Sequence, residues 1–252
     1  MDAPIEPKVV IAREDGVMRI MFNRPAKKNA LDREMYLTMI AALEEAQADP
    51  DLRAVLFCGA GGDFTAGNDL SDFLGPSLRL EEFPAFQFVL ALAGFAKPLV
   101  AAVAGDAIGV GTTMLFHCDL VHAAPGARFK MPFVDLGLPP EAGASLLAPR
   151  LFGPARAAQY LMLCESFDAA EAEKLNLVNA VTPADSLLET AMNAARRLAQ
   201  KPAEAVQATR RLLRGDPAEL RERMFEEARL FEKALASPPM RARLEAFFAA
   251  RR

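Results

Sequence analysis

Apolar and polar positions fall into two regimes along the chain. Up to Ala123, short apolar runs alternate with helical patterns; beyond Gly137, amphipathic stretches take over. The runs at residues 9–13 and 17–23, split by Glu14-Asp15-Gly16, predict an antiparallel hairpin. After the polar loop NRPAKKNALD, Met35, Met39, Leu43 and Ala46 recur at helical spacing. A helix over 33–48 follows, capped by Asp32 and stopped at Asp49-Pro50. Residues 54–58 then read as a buried strand, 71–96 as an aromatic-rich helix with an irregular start, 99–104 as strand, 112–117 as helix and 120–123 as strand. Strands that are apolar throughout and separated by helices predict an α/β fold with strands buried on both faces. Past Gly137 the spacing predicts helices over 142–151, 154–163, 169–174, 183–200, 202–213 and 217–236, with no internal repeat and no low-complexity linker.

Composition narrows the function classes. Across 252 residues, 33 acidic side chains outnumber 29 basic ones and leave a net charge of −4 with no basic block. A nucleic-acid partner, which needs a cationic face, is disfavoured. Cys58, Cys118 and Cys164 sit in apolar runs without metal-ligand spacing, which predicts buried, reduced thiols and no metal site. The opening MDAPIEPKVVIARE lacks the basic head and apolar run of a signal peptide. No apolar segment approaches the roughly 20 residues needed to span a bilayer. The expectation is a cytoplasmic protein with no membrane partner.

The chemistry concentrates in two glycine loops. GAGGDFTAGNDL (59–70) and GDAIGVG (105–111) each follow a strand, and the second runs into a helix. Glycines let the backbone turn sharply and approach a ligand closely, and a helix start offers unpaired amides. Two amides converging from such loops would stabilise a carbonyl oxygen that becomes an oxyanion.

At these residues the chain resembles a known family. NRPAKKNALD, DFTAGNDL, KPLVAAVAGDAIGVG and CDLVHAAPGARFKMPFVDLGLPPEAG occur in this order and are similar to the crotonase (enoyl-CoA hydratase/isomerase) superfamily. The likeness continues through FDAAEAEKLNLVNAVTP into the helical tail. It implies a ββα spiral core over residues 1–195 carrying an acyl-CoA site, and a helical region over 196–252 used for trimerisation, as a homotrimer or dimer of trimers. It also implies an acyl-CoA thioester as substrate and no separate cofactor, since coenzyme A arrives with the substrate. By position, the oxyanion amides would be those of Asn68 and Val110, the latter flanked by Gly109. Ala66, Gly67, Asn68, Asp69 and Leu70 would line the thioester and pantetheine. Lys28 or Lys27 would meet the CoA phosphates, solvated surface charge being an equally good reading of either.

Thr113 and Phe133 stand where hydratases of the superfamily carry their two glutamates. Glu141, in GLPPEAG, falls at or near the first turn of a predicted helix, where an acid commonly complements the helix dipole. Monofunctional enoyl-CoA isomerases, which the chain resembles in the pattern PFxxLGLxPExG, use that glutamate as their catalytic base. One carboxylate suffices to take a proton from C2 of a 3-enoyl thioester and return one to C4. The expected activity is therefore a delta3,delta2-enoyl-CoA isomerase of fatty-acid breakdown. The alternatives are a hydratase or other crotonase reaction with an atypical acid/base, or a non-catalytic acyl-CoA-binding module. His117 and His122 read as structural, Asp69 and Asp106 as loop fasteners, and Asp135 as the rival base.

Overall fold

The computed structural model describes residues 6–74, 82–238, 240 and 242–243. Parts of the helix expected over 71–96, and the end of the tail, lie outside these residues.

The chain opens with the expected hairpin, β1 (Val9–Glu14) and β2 (Val17–Phe22). Asp15 and Gly16 take φ of 52° and 76°, the left-handed values that a tight two-residue turn requires. Helix α1 (Arg33–Ala48) starts where the Asp32 carboxylate accepts the Met35 amide at 3.1 Å. Its end is sealed from a distance, because the buried Lys97 ammonium donates to the carbonyls of Ala46, Asp49 and Leu52 at 2.5, 2.6 and 2.8 Å. A cation there satisfies terminal carbonyls and complements the dipole.

There follow β3 (Ala54–Gly59), α2 (Pro84–Gly94), β4 (Leu99–Val103), β5 (Asp106–Ile108), α3 (Val110–Thr113), β6 (Leu120–Ala123) and β7 (Arg128–Lys130). Then come α4 (Ala144–Phe152), α5 (Pro154–Met162), β8 (Phe167–Asp168), α6 (Ala169–Lys174), β9 (Ala180–Val181), α7 (Leu187–Ala199), α8 (Ala203–Arg214) and α9 (Pro217–Leu235). The larger sheet runs β1-β2-β3-β4-β6-β9, parallel except for the hairpin; a smaller one runs β5-β7-β8. Alternate residues of β3 serve two cores. Val55 and Phe57 face the main core with α1 and α2, whereas Ala54, Leu56 and Cys58 pack against Leu187, Ala191, Met192 and Ala195 of α7. This explains why the strand is apolar throughout.

Several boundaries differ from expectation. β5 lies inside a stretch read as loop, and β8 and β9 interrupt a region read as helical; strands of two or three residues are too short to show a period. Residues 134–136 form a 3₁₀ turn. The helix expected from residue 142 begins at Ala144, because Ala142 and Gly143 have φ of 60° and 73°. Glu141 therefore sits in the approach to α4, not in its first turn. Residue 195, where the core was expected to give way to the helical region, lies within α7.

The C-terminal helices are fastened to the core. Arg210 and Arg214 of α8 both pair with Asp119 at 2.7 Å, and their guanidinium groups also reach the carbonyl of His117. From α9, Phe225 packs edge-on against Phe86 at 5.4 Å, and Phe231 lies 6.1 Å from Phe73.

Candidate active site

The two glycine loops are zipped together. The Thr65 amide donates to the Asp106 carbonyl at 2.8 Å, and the Ile108 amide returns to Thr65 at 2.9 Å. A Cβ on Gly67 (φ 84°) would stand 2.5 Å from the Ile108 carbonyl oxygen, and one on Gly105 would stand 2.3 Å from that of Gly62. These glycines are needed because backbone meets backbone. NRPAKKNALD supplies the third strut. Buried Asn29, at φ 55°, donates to the carbonyls of Ala60 and Asp63, both at 2.8 Å. The Thr65 hydroxyl donates to the Asn29 carbonyl at 2.7 Å and accepts the Gly67 amide at 3.0 Å.

The zipping uses the flanking amides and spares two. Asp69 donates its amide to Leu31, Gly109 to Lys130, and Ala66 to Lys28, each at 2.8 Å. Neither the Asn68 amide nor the Val110 amide has an acceptor among the described residues. Val110 begins α3 and its side chain is buried in the core, leaving the amide as the group it presents at the helix start.

Glu141 follows two prolines and lies beside α3. The Thr113 hydroxyl donates to its carboxylate. Burial pushes the Glu141 carboxyl up to about 8; the Thr113 hydrogen bond opposes the shift, and the negative charge of Glu227 adds to it. The other carboxylates around the site are committed. Asp69 accepts from Arg24 at 2.7 Å and from the Ser71 hydroxyl at 2.7 Å, as a loop fastener should. Asp72 accepts the Arg33 amide at 2.9 Å. Glu227 accepts the amides of Gly143 and Ser145 at 2.7 and 2.9 Å. Asp135, the rival base, is exposed and paired with Lys130 at 3.0 Å. Phe133 is buried in the core.

The charges beside the loops are paired. Lys28, whose side chain is largely exposed, pairs with Asp106 at 3.0 Å, which raises its pKa. Asp106 fastens the loops through Lys28 and Arg128, and it is Asp63 that accepts a backbone amide, that of Asp106, at 2.9 Å. His117 is buried, with Nε2 2.8 Å from the Ala142 carbonyl.

Beside Asn68 opens a pocket of about 100 Å³, walled by Phe73, Phe83, Pro84 and Ala85 and by the polar Tyr36, Arg33, Asp69 and Asp72. The Tyr36 hydroxyl donates to the Asn68 side-chain carbonyl at 2.5 Å. Burial, with Glu141 and Asp72 near, raises the Tyr36 pKa and keeps it a neutral donor. Tyr36 escaped the sequence reading because at its helical position it looks like any core aromatic. No helix among the described residues is long and apolar enough to cross a membrane.

Known proteins resemble this chain in sequence and fold. A profile of the enoyl-CoA hydratase/isomerase family matches residues 12–252. The chain is 35% identical over 217 residues to enoyl-CoA delta isomerase 2 of Rattus norvegicus, covering 84% of this chain and 55% of that protein. It thus spans about half the length of that relative. It is 31% identical over 244 residues to the 2,3-dehydroadipyl-CoA hydratase of Escherichia coli, covering 95% of each. The solved structure of an enoyl-CoA hydratase/isomerase from Pseudoalteromonas atlantica superposes with a TM-score of 0.92 at 38% identity, over 97% of this chain and 98% of that one. Isomerases and hydratases stand at comparable identity.

Proposed function

Because the chain belongs to the enoyl-CoA hydratase/isomerase family of the crotonase superfamily, we propose that it is a delta3,delta2-enoyl-CoA isomerase with Glu141 as its one proton shuttle. The observation that carries this reading is the isolation of Glu141. Thr113 and Phe133 occupy the places of the hydratase glutamates, and Asp69, Asp72, Asp135 and Glu227 are each held by other partners. Hydration must also activate and place a water, and the usual second carboxylate is missing.

In this mechanism the thioester oxygen lies against the amides of Asn68 and Val110. Ionised Glu141 removes a proton from C2 and the electrons pass into a dienolate, whose oxygen the two amides stabilise. The protonated Glu141 then delivers the proton to C4 and is restored. Charge on the base and on the dienolate never coexists, and this suits a carboxyl whose burial already favours its neutral form. Proton balance is complete without a cofactor beyond the coenzyme A carried by the substrate. The apolar wall beside Asn68 receives the acyl chain.

The chain assembles as a homotrimer or dimer of trimers in this reading. Support comes from α8, where Leu212 and Leu213 are 80% and 83% exposed, and from the end of α5, where Met162 and the following Leu163 are 68% and 66% exposed. Light scattering on purified protein should give three or six times the chain mass.

Activity is tested by offering 3-enoyl-CoA and crotonyl-CoA side by side. The expected result is trans-2-enoyl-CoA from the first and no 3-hydroxyacyl-CoA from the second. Hydration of crotonyl-CoA without isomerisation would make the protein a hydratase. Tight CoA binding with no exchange at C2 of either thioester would make it a binding module.

A further inference from the structure

Immediately after Glu141, one peptide unit is gripped at both of its polar ends. The Ala142 carbonyl faces His117 Nε2 at 2.8 Å, and the Gly143 amide donates to Glu227 at 2.7 Å. These two groups belong to the same planar peptide, so together they fix its rotation about the chain. A carbonyl can only accept, so His117 must carry its proton on Nε2. Its Nδ1 has no partner among the described residues.

The grip holds an unfavourable backbone. Ala142, with φ 60°, is left-handed where alanine gains nothing by being so, and Gly143 follows at φ 73°. The holders come from far along the chain, with separations of 25 residues for His117 and 84 for Glu227. Both are buried. His117 is itself tethered, its carbonyl accepting from Arg210 and Arg214 of α8, while Glu227 projects from α9.

We propose that His117 and Glu227 are positioning residues that clamp the Ala142–Gly143 peptide and so aim the Glu141 carboxylate. The C-terminal helices thereby complete the site from within the same chain. The inference rests on Glu141 being the base. Two alternatives compete with it: Glu227 acting only as a cap on α4, whose Ser145 amide it also accepts, and His117 acting only as core packing.

Four variants distinguish these readings: His117→Leu, His117→Gln, Glu227→Met and Glu141→Gln. Leucine removes the donor, whereas glutamine can place an amide donor where Nε2 stands. With the clamp, His117→Leu and Glu227→Met lower kcat about 10- to 100-fold through misplacement of the base. KM stays within about twofold, since ground-state binding is untouched. His117→Gln recovers most of the loss. Wild-type kcat in folded His117→Leu, with only Tm lowered, would overturn the clamp. If Glu227→Met does not fold, the two His117 variants decide by the same criteria. Should the wild type prove not to isomerise, or Glu141→Gln remain active, the base assignment fails separately. Hydrogen exchange at the Gly143 amide still tests the clamp: faster exchange in His117→Leu supports it, and an unchanged rate overturns it.

Discussion

The two glycine loops and the Glu141 turn, the two halves of the proposed site, are built on opposite principles. The loops are backbone meeting backbone. Gly67 and Gly105 permit the contact, Asn29 and Thr65 brace it, and the proposed oxyanion donors are main-chain amides. The Glu141 turn depends on side chains reaching in from elsewhere: Thr113 on the carboxylate, with His117 and Glu227 on the peptide behind it. A backbone site tolerates changes of side chain but not of a cramped glycine. A side-chain site can lose its aim through a single substitution outside its own loop.

The largest predicted effect is at the base. Glu141→Gln should lower kcat about 1,000-fold while acyl-CoA binding persists, as measured by turnover and calorimetric titration. The same change should not destabilise the fold at high pH. With its folded pKa raised from 4.5 to about 8, Glu141 binds a proton more tightly in the native state, so its contribution to stability declines as pH rises through that window. At pH 9 the melting temperature of Glu141→Gln should equal or exceed that of the wild type; a marked fall would contradict the burial argument.

Gly67→Ala comes next. The added methyl would lie 2.5 Å from the Ile108 carbonyl oxygen, at a glycine with φ of 84°. Loss of one aligned oxyanion donor costs about 100-fold in kcat. Circular dichroism separates that loss from unfolding. Thr113→Val is a smaller change. Its hydroxyl stabilises the ionised base, so removing it raises the Glu141 pKa and moves the acid limb of the kcat/KM profile to higher pH. A limb displaced by about one pH unit leaves activity at neutral pH about tenfold lower. Val110→Gly should have the smallest effect, within about threefold in kcat, because only the amide is used. A large loss there would show that the loops are not as indifferent to side chains as the comparison claims.

The same contrast explains what could be read from the sequence. The spiral α/β core, α1 with its Asp32 cap and both glycine loops are encoded locally, in period, cap and glycine placement. The strands β5 and β8 were missed because pairing across the smaller sheet, and β9 because pairing with β6 at the edge of the larger one, makes them strands where local pattern does not. The start of α4 was misplaced because nothing local announces a left-handed alanine at 142. Thr113 was visible only as a missing glutamate; its bond to Glu141 spans 28 residues and exists only once α3 is folded beside the turn. Lys28 looked free because Asp106 lies 78 residues away.

The most direct test of a lone carboxylate follows a label. A 3-enoyl-CoA carrying deuterium at C2 is converted in ordinary water, and the product is examined by NMR for deuterium at C4. A single buried Glu141 that takes and returns the proton predicts that part of the label reappears at C4, and that Glu141→Gln abolishes the transfer. Product with only protium at C4, formed equally well by Glu141→Gln, would contradict the account.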